Sequence, residues 1–274
     1  MRNSVAFRLV AHGWLVFCVV VQLVPMVILL FMSVKSRAQV AMNPLLPTWP
    51  MHFENFPVVW RMGIRTYMMN SATITITSLI GNMVLSCVAA YVFARYSFPG
   101  RNLLFSLILG LMVIPGITTL IPTYVVVRDL KLLGSLWGVI IPNIMGANAF
   151  NIFVLRTFFA SLPEELFEAA RIDGAGHLRI FSSIVIPLSW AIISSLAVMM
   201  VMGTWNDYVW PLLVLNREKL QTIAIGLVFF ADSRNPEIGL QMAASVIASI
   251  PMIILFLIAM RSFIEGLASG AIKM

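Results

Sequence analysis

Six long apolar stretches constrain the fold of this chain more than any other feature of its sequence. Each is long enough to cross a hydrocarbon core of about 30 Å as a helix that rises about 1.5 Å per residue. We therefore predict an all-α membrane protein, a single transmembrane domain over residues 1–274 with six transmembrane helices. The stretches are residues 14–34, 70–94, 103–127, 136–159, 184–203 and 238–260.

The composition excludes an ordinary soluble protein. Hydrophobic residues make up 60% of the chain and charged residues 11%, whereas soluble domains carry about 25% charged residues. The formal charge of +7 does not indicate nucleic-acid binding, because the lysines and arginines are scattered without a basic run. The apolar excess instead requires a bilayer as solvent, and we predict a multi-pass membrane protein.

The first apolar stretch and a short apolar segment near residue 225 need separate interpretation. The first stretch, residues 14–34, is longer than the core of a signal peptide, which has about 7–15 apolar residues. No A-x-A cleavage pattern follows it. We interpret it as a membrane anchor. The segment 220–230 is too short to cross the bilayer and is predicted to be interfacial or re-entrant.

Catalytic and metal-binding patterns are missing from the sequence. Cys18 and Cys87 lie in apolar stretches, and the three histidines have no metal-ligand spacing. None of the four lysines follows a glycine, so the chain has no G-x-x-x-x-G-K-[ST] phosphate loop. We predict no catalytic residue, no metal site and no cofactor bound by this chain. A membrane-embedded enzyme is one possible function, but the sequence patterns expected of it are missing.

Two of the predicted spans contain polar residues but no charged ones. Residues 70–94 and 238–260 contain no Asp, Glu, Lys or Arg, which argues against an ion-coupled carrier because such pumps use buried ionisable relays. Four amides either face a substrate path or make hydrogen bonds between helices. They are Asn82, Asn148, Asn151 and Gln241.

The connection 161–183 differs from the other loops. Ser161, Pro163 and Glu164 form the pattern of a capping box at a helix start, and Gly174 provides a helix stop. Beyond it, a second helical stretch places Leu178, Phe181 and Ile184 or Val185 on one face. The pattern predicts a short helix outside the bilayer.

That helix is either a membrane-surface connector or a docking element for a partner protein. Ala169 and Ala170 are small enough to let a partner backbone approach, and Glu168 and Arg171 beside them offer charged pairing.

Basic residues do not decide the orientation in the membrane. Nine lie on the side of the predicted termini and nine on the other side, so the excess that marks the cytoplasmic side is missing. Six spans place both termini on the same side.

The connection 161–183 resembles the EAA motif of permease subunits in ATP-binding-cassette importers. That motif is EAA, three residues, Gly, nine residues, Ile, one residue, Leu and Pro, and the chain departs from it only at Ile186, which replaces Leu. The string from Glu168 to Ala175 is similar to the carbohydrate-importing, maltose-type branch. The matching residues are Glu168, Ala169, Ala170, Gly174, Ile184 and Pro187, with Arg171 and Asp173 in the longer string.

Shorter segments agree with this resemblance. They are Asn70 and Ser71, residues 98–101, residues 205–207 and residues 265–273.

The resemblance implies a type I importer permease fold in the bacterial cytoplasmic (inner) membrane, in which residues 161–183 form a cytoplasmic coupling loop and both termini are cytoplasmic. The helix 163–173 is then expected to sit in a cleft of a separate ATPase subunit. The implied partners are a second, homologous permease, two nucleotide-binding ATPase subunits that bind ATP and Mg²⁺, and an extracytoplasmic sugar-binding protein. Residues 216–237 correspond to a loop that reaches that binding protein.

The function implied is import of a sugar by alternating access coupled to ATP hydrolysis. A stand-alone secondary carrier or channel is the alternative. The sequence does not identify the sugar, and it does not say whether this subunit contacts the cargo.

Overall fold

The computed structural model describes residues 5–146, 148–231 and 237–271, with side chains described for most residues from 7 to 260. Within this part of the chain the regular elements are helices, and no β-strand occurs. The predicted all-α class is therefore confirmed.

The described residues form fifteen α-helices. They are α1 (Val5–Ser33), α2 (Arg37–Met42), α3 (Asn55–Val59), α4 (Arg65–Arg95), α5 (Arg101–Leu111), α6 (Gly116–Asp129), α7 (Trp137–Gly146), α8 (Asn148–Ala160), α9 (Glu164–Ile172), α10 (His177–Ile180), α11 (Ile186–Leu188), α12 (Trp190–Asn206), α13 (Val209–Val214), α14 (Ile223–Phe229) and α15 (Ile238–Ala271). Two π-helical turns, Trp60–Ile64 and Phe181–Val185, and a 3-10 turn, Glu218–Leu220, join some of them.

Four helical stretches are long and apolar enough to cross a membrane: Leu9–Ser33, Asn55–Arg95, Trp137–Ala160 and Ile238–Met260. Two further pairs meet the same criteria only when both members are taken together. The helices α5 and α6 are bent by 101° at their junction, and Trp190–Asn206 is bent by 75° relative to His177–Leu188. By length and composition the described residues thus provide four to six spans, and the count of six with its boundaries stays a prediction.

Local backbone chemistry explains both bends. Pro115 precedes α6 with extended angles (φ −60°, ψ 131°), and proline disfavours helical angles at Ile114 before it, so a continuous helix from α5 to α6 is disfavoured. At the second bend Ser189 leaves helical geometry (φ −101°, ψ 8°) two residues after Pro187, which has no amide hydrogen for a helical bond.

The chain divides into two compact units. The first comprises residues 1–65 and 226–250, and the second comprises residues 66–225 and 251–274.

A buried lysine organises the first unit. The ammonium group of Lys35, in a side chain that is almost fully buried, donates to the carbonyl oxygens of Asn43 (2.6 Å), Pro44 (3.3 Å) and Leu46 (2.6 Å). The amide of Asn55 donates to the carbonyls of Ser33 (2.9 Å) and Lys35 (3.1 Å). Because a buried charge is tolerated only when its donors are satisfied, these bonds fix the connection that follows α1.

The second unit is built around α4, which turns its polar residues inward. Ile76, Ile80, Val84 and Val88 on the opposite side are exposed. This arrangement is typical of membrane proteins, because lipid accepts apolar side chains and polar groups must find partners inside the protein. The buried polar residues of this face, spaced three or four apart, are Ser71, Thr75, Ser78, Asn82 and Ser86.

Two apolar clusters pack against α4. One joins the end of α4 to α8, α9 and α12 and contains Ala90, Leu155, Phe159, Phe167 and Ile193 among its buried members. The other lies near the start of α4, where buried residues of α6, α7 and α13 surround Ile74; they include Val127, Val139, Ile140 and Val214.

A close approach at Gly138 gives the first prediction. A Cβ atom there would lie 2.5 Å from the backbone oxygen of Leu132 and 2.7 Å from Cγ1 of Val214. We expect Gly138→Ala to destabilise the protein by about 1–3 kcal/mol, as overpacking does, and to lower its thermal midpoint in detergent. The control Gly110→Ala places its Cβ in open space, so an equal effect of both variants would contradict the packing.

Candidate functional site

The predicted helix in the connection 161–183 is present as α9, Glu164–Ile172. Its start differs from the prediction. Pro163 occupies the N-cap position with extended angles, and no side chain caps the helix. The hydroxyl of Ser161 donates instead to the carbonyl of Phe158 (2.8 Å), at the end of α8. The capping-box interpretation of Ser161 and Glu164 is therefore wrong.

The helix stop at Gly174 is confirmed. Gly174 has φ +73°, a left-handed conformation that favours glycine. Its amide donates to the carbonyl of Arg171 (3.0 Å), and the amide of Ala175 donates to that of Ala170 (2.9 Å). These two bonds define a Schellman motif, which satisfies carbonyls left unpaired at a helix end.

The two faces of α9 have different environments. Phe167 is 1% exposed and packs with Ala170 in the cluster shared by α4, α8 and α12. Glu168, Ala169 and Asp173 are exposed, as is Arg171, and Ile172 is 86% exposed. The expectation that both alanines face a partner is wrong for Ala170, because that residue turns into the chain's own core.

The segment after α9 also corrects a predicted face. Leu178 is 84% exposed, whereas Ile180 and Val185 are buried. The helix widens into the π-helical turn Phe181–Val185, and a periodicity of 3.6 residues no longer describes which residues share a face. Ile184 packs against the cluster around Phe167, and Pro187 is exposed just before the bend at Ser189.

Arg95, at the end of α4, holds this region together and was not among the predicted site residues. Its guanidinium donates to a carboxylate oxygen of Glu164 (2.6 Å) and to the carbonyls of Phe159 (2.7 Å) and Leu162 (2.9 Å). It also lies 3.7 Å from the ring centroid of Phe167. One side chain thus fixes the end of α8, the turn and the start of α9.

Burial makes the Arg95 contacts strong. The Arg95 side chain is 12% exposed, whereas Glu164 and its second partner Arg171 (3.3 Å) are more than half exposed. Exposed ion pairs contribute about 0–1 kcal/mol, but hydrogen bonds from a charged group to carbonyls contribute about 1.5–3 kcal/mol. The Arg95–carbonyl bonds therefore dominate, and the Arg171–Glu164 pair adds little.

Three of the four amides predicted for a substrate path form one hydrogen-bond network. The amide nitrogen of Asn82, in a fully buried side chain, donates to the carbonyl of Ile144 (2.8 Å), and its oxygen accepts from Asn151 (2.7 Å). Ser86 donates to the side-chain oxygen of Asn148 (2.6 Å). These contacts join α4 to α7 and α8 and fit the helix–helix interpretation. Their role toward cargo stays a prediction.

Gln241, the fourth amide, belongs to the first unit and is half-buried on α15. Its backbone amide donates to the carbonyl of Glu237 (3.0 Å), and its carbonyl accepts from the hydroxyl of Ser245 (3.0 Å).

The predicted loop 216–237 is anchored to the start of α4. The side-chain amide of Asn70 donates to the carbonyls of Lys219 (2.9 Å) and Gln221 (3.0 Å), and the hydroxyl of Ser71 accepts from the amide of Ile223 (2.8 Å). These contacts give Asn70 and Ser71 a structural role. Residues 232–236 of the predicted loop lie outside the described part.

The position of α9 is expected to depend on Arg95. Arg95→Ala removes the donors to Phe159 and Leu162 and the cation above Phe167, so amide hydrogen exchange in residues 162–174 should accelerate by about ten-fold or more. Arg95→Lys should give only partial recovery, because an ammonium lacks the planar fork of donors. Arg171→Ala, which removes only the exposed pair with Glu164, serves as the control and should change exchange little.

Asn82 provides a third prediction. Asn82→Leu leaves the buried amide of Asn151 without its acceptor, which costs about 1–3 kcal/mol, so the thermal midpoint in detergent should fall without any cargo present. The control Asn102→Leu changes an exposed amide at the start of α5. An unchanged midpoint for Asn82→Leu would contradict the structural role of the network.

Comparisons with known proteins agree with this geometry. The family described as "Binding-protein-dependent transport system inner membrane component" matches residues 82–268. The melibiose/raffinose/stachyose import permease protein MelC of Bacillus subtilis (strain 168) is 33% identical over 253 residues, which cover 91% of each chain. The sn-glycerol-3-phosphate transport system permease protein UgpE of Escherichia coli is 31% identical over 280 residues, covering 98% of this chain and 99% of UgpE.

A solved structure is similar over nearly the whole chain. It is the crystal structure of a bacterial ABC transporter involved in the import of the acidic polysaccharide alginate, matched with a TM-score of 0.85 and 25% sequence identity over 96% of this chain and 98% of that one. Together with the family match to residues 82–268, this likeness shows that the chain belongs to the family of binding-protein-dependent transport system inner membrane components, the permease subunits of ATP-binding-cassette importers.

Proposed function

We propose that this chain is one pore-forming half of an ATP-driven sugar importer, and that α9 is the helix through which a separate ATPase drives it. The exposed face of α9 supports this proposal most directly. Glu168 and Ala169 lie beside Ile172, which is 86% exposed, and Leu178 follows in the next helix. Large apolar side chains exposed among charged residues are typical of a protein–protein contact.

The opposite face of α9 suits the transmission of movement. Phe167 and Ala170 are buried against residues of α4, α8 and α12, and Arg95 binds both ends of the turn before α9. Packed cores do not deform continuously, so a displacement of α9 is expected to move these helices with it. This is the behaviour required for alternating access.

The proposed orientation places α9 and both termini in the cytoplasm. ATP and Mg²⁺ would be bound by two ATPase subunits, because this chain has no phosphate-binding loop in its sequence. A second permease would complete the pore, and an extracytoplasmic binding protein would deliver the cargo. The loop held by Asn70 and Ser71 is the proposed contact for that protein.

The proposed cargo class is carbohydrate. MelC is named for the import of melibiose, raffinose and stachyose, and UgpE for the transport of sn-glycerol 3-phosphate. Sugars and sugar derivatives are therefore the first compounds to test for this chain.

Two substitutions test the docking role of α9. We expect Glu168→Lys to leave membrane insertion intact and to uncouple transport, because it reverses a charge offered to the ATPase. Gly174→Val should act similarly, since a β-branched residue in a left-handed conformation costs about 1–2 kcal/mol and disrupts the helix stop. The measurement is sugar uptake and ATP hydrolysis in proteoliposomes that contain the complete importer and its binding protein.

The matched control is Asp129→Lys, which reverses an exposed acid paired with its neighbour Arg128. It should retain uptake. Normal uptake by both Glu168→Lys and Gly174→Val would disprove the docking role. A chain that never co-purifies with an ATPase subunit when expressed with its neighbouring genes would favour the stand-alone carrier or channel.

A further inference from the structure

A cavity of about 450 Å³ lies in the second unit, among residues of α7, α8 and α12. Its volume is within the range of about 300–1,000 Å³ that is typical of small-molecule sites. The site residues predicted from sequence include only one of its members, Asn151. Its polar lining residues include Asn151, Thr204 and Asp207, and its apolar ones include Phe150, Leu196 and Met199.

The polar side of the cavity is unsuited to lipid. Thr204 and Asp207 line the cavity. A carboxylate facing hydrocarbon costs several kcal/mol. Water or a hydroxyl-bearing molecule in the cavity would remove that cost, so the cavity belongs to an aqueous path.

The charge of the cavity is acidic. Asp207 lies just beyond the end of α12, and burial raises the pKa of its carboxyl above the usual range, against a smaller lowering by the backbone amides of Trp210 and Val209. One of those contacts is the amide of Trp210 at 3.3 Å. No Lys or Arg is among the residues that line the cavity, all of which lie in the described part of the chain. A phosphate or uronate would therefore meet a carboxylate and no compensating cation.

The remaining walls suit a sugar ring. Phe150 is 41% exposed and offers an aromatic face, while Leu196, Met199 and Met200 provide apolar contact. A pyranose has apolar C–H faces and a rim of hydroxyls, which can donate to the carboxylate of Asp207 and form hydrogen bonds with the hydroxyl of Thr204. The cavity presents these complementary groups together.

We propose that this cavity is a contact face for neutral, hydroxyl-bearing cargo and that it disfavours anionic cargo. The proposal rests on the importer function and specifies the cargo class. A neutral cargo would differ from the phosphate ester for which UgpE is named and from the acidic polysaccharide of the similar transporter.

The first test measures the charge and wetness of the cavity without any cargo. Thr204→Cys is introduced into the complete importer after Cys18 and Cys87 are replaced by alanine, and the thiol is labelled at pH 8 with a cationic and an anionic methanethiosulfonate of similar size. We expect both reagents to label the thiol. The ratio of the cationic to the anionic labelling rate should exceed the same ratio for a free thiol by about five-fold or more. Asp207→Asn should remove most of this preference, and the control Asp129→Asn should preserve it.

The second test measures whether cargo protects the same thiol from labelling. Raffinose as the neutral probe should slow labelling of Thr204→Cys in a concentration-dependent manner, whereas sn-glycerol 3-phosphate and an alginate oligosaccharide should not. Protection by raffinose should weaken about ten-fold in Asp207→Ala, because the carboxylate acceptor is lost.

Three results would overturn the proposal: no labelling by either reagent, no change on Asp207→Asn, or protection by an anionic probe that equals or exceeds protection by raffinose. Binding-protein-stimulated ATP hydrolysis by the same samples separates a failure of the cavity assignment from a failure of the importer function. If stimulation is intact, a negative result removes the cavity assignment only. If the chain associates with no ATPase, the importer function itself fails.

Discussion

Hydrogen bonding from the polar face of α4 is the interaction on which the second unit depends. At its start Asn70 and Ser71 bind the loop that follows α13, in its middle Asn82 binds α7 and α8, and at its end Arg95 binds the turn before α9. Each contact is made to backbone or amide groups of a distant segment. A single helix therefore positions the loop after α13, the helices α7 and α8, and the turn before α9.

The bilayer explains why polar contacts carry this role. Apolar burial provides little preference between one helix neighbour and another in a membrane, because lipid tails are as apolar as leucine. Ile76 and Ile80 on α4 remain exposed and are suited to lipid. A buried amide such as Asn82 has a much narrower choice, since an unpaired polar group is costly in a low dielectric. Directional bonds thus decide which face of α4 turns inward.

The sequence was sufficient for features that depend on local chemistry, such as the all-α class, a helix at residues 164–172 and the left-handed stop at Gly174. It was insufficient where the outcome depends on distant groups or on helix widening. Arg95 and Glu164 are 69 residues apart, and nothing local links them. Leu178 is exposed and Val185 is buried, because the π-helical turn Phe181–Val185 alters the periodicity that placed them on one face. The asparagines were identified, but only the structure shows that Asn82 and Asn151 bind each other.

The course of α12 connects the proposed coupling site to the proposed cargo cavity. Near its start Ile193 and Leu196 belong to the cluster that buries Phe167 of α9. Further along, Thr204 lines the cavity, and Asp207 follows at the end of the helix. Leu196 belongs to both, so a rigid displacement of α12 that follows α9 must also move one cavity wall. The opposite wall includes Asn151 of α8, which Asn82 holds to α4. Movement of α12 relative to that wall would change the spacing of the groups that face the cargo, which is how docking of an ATPase could alter cargo binding without touching the cargo.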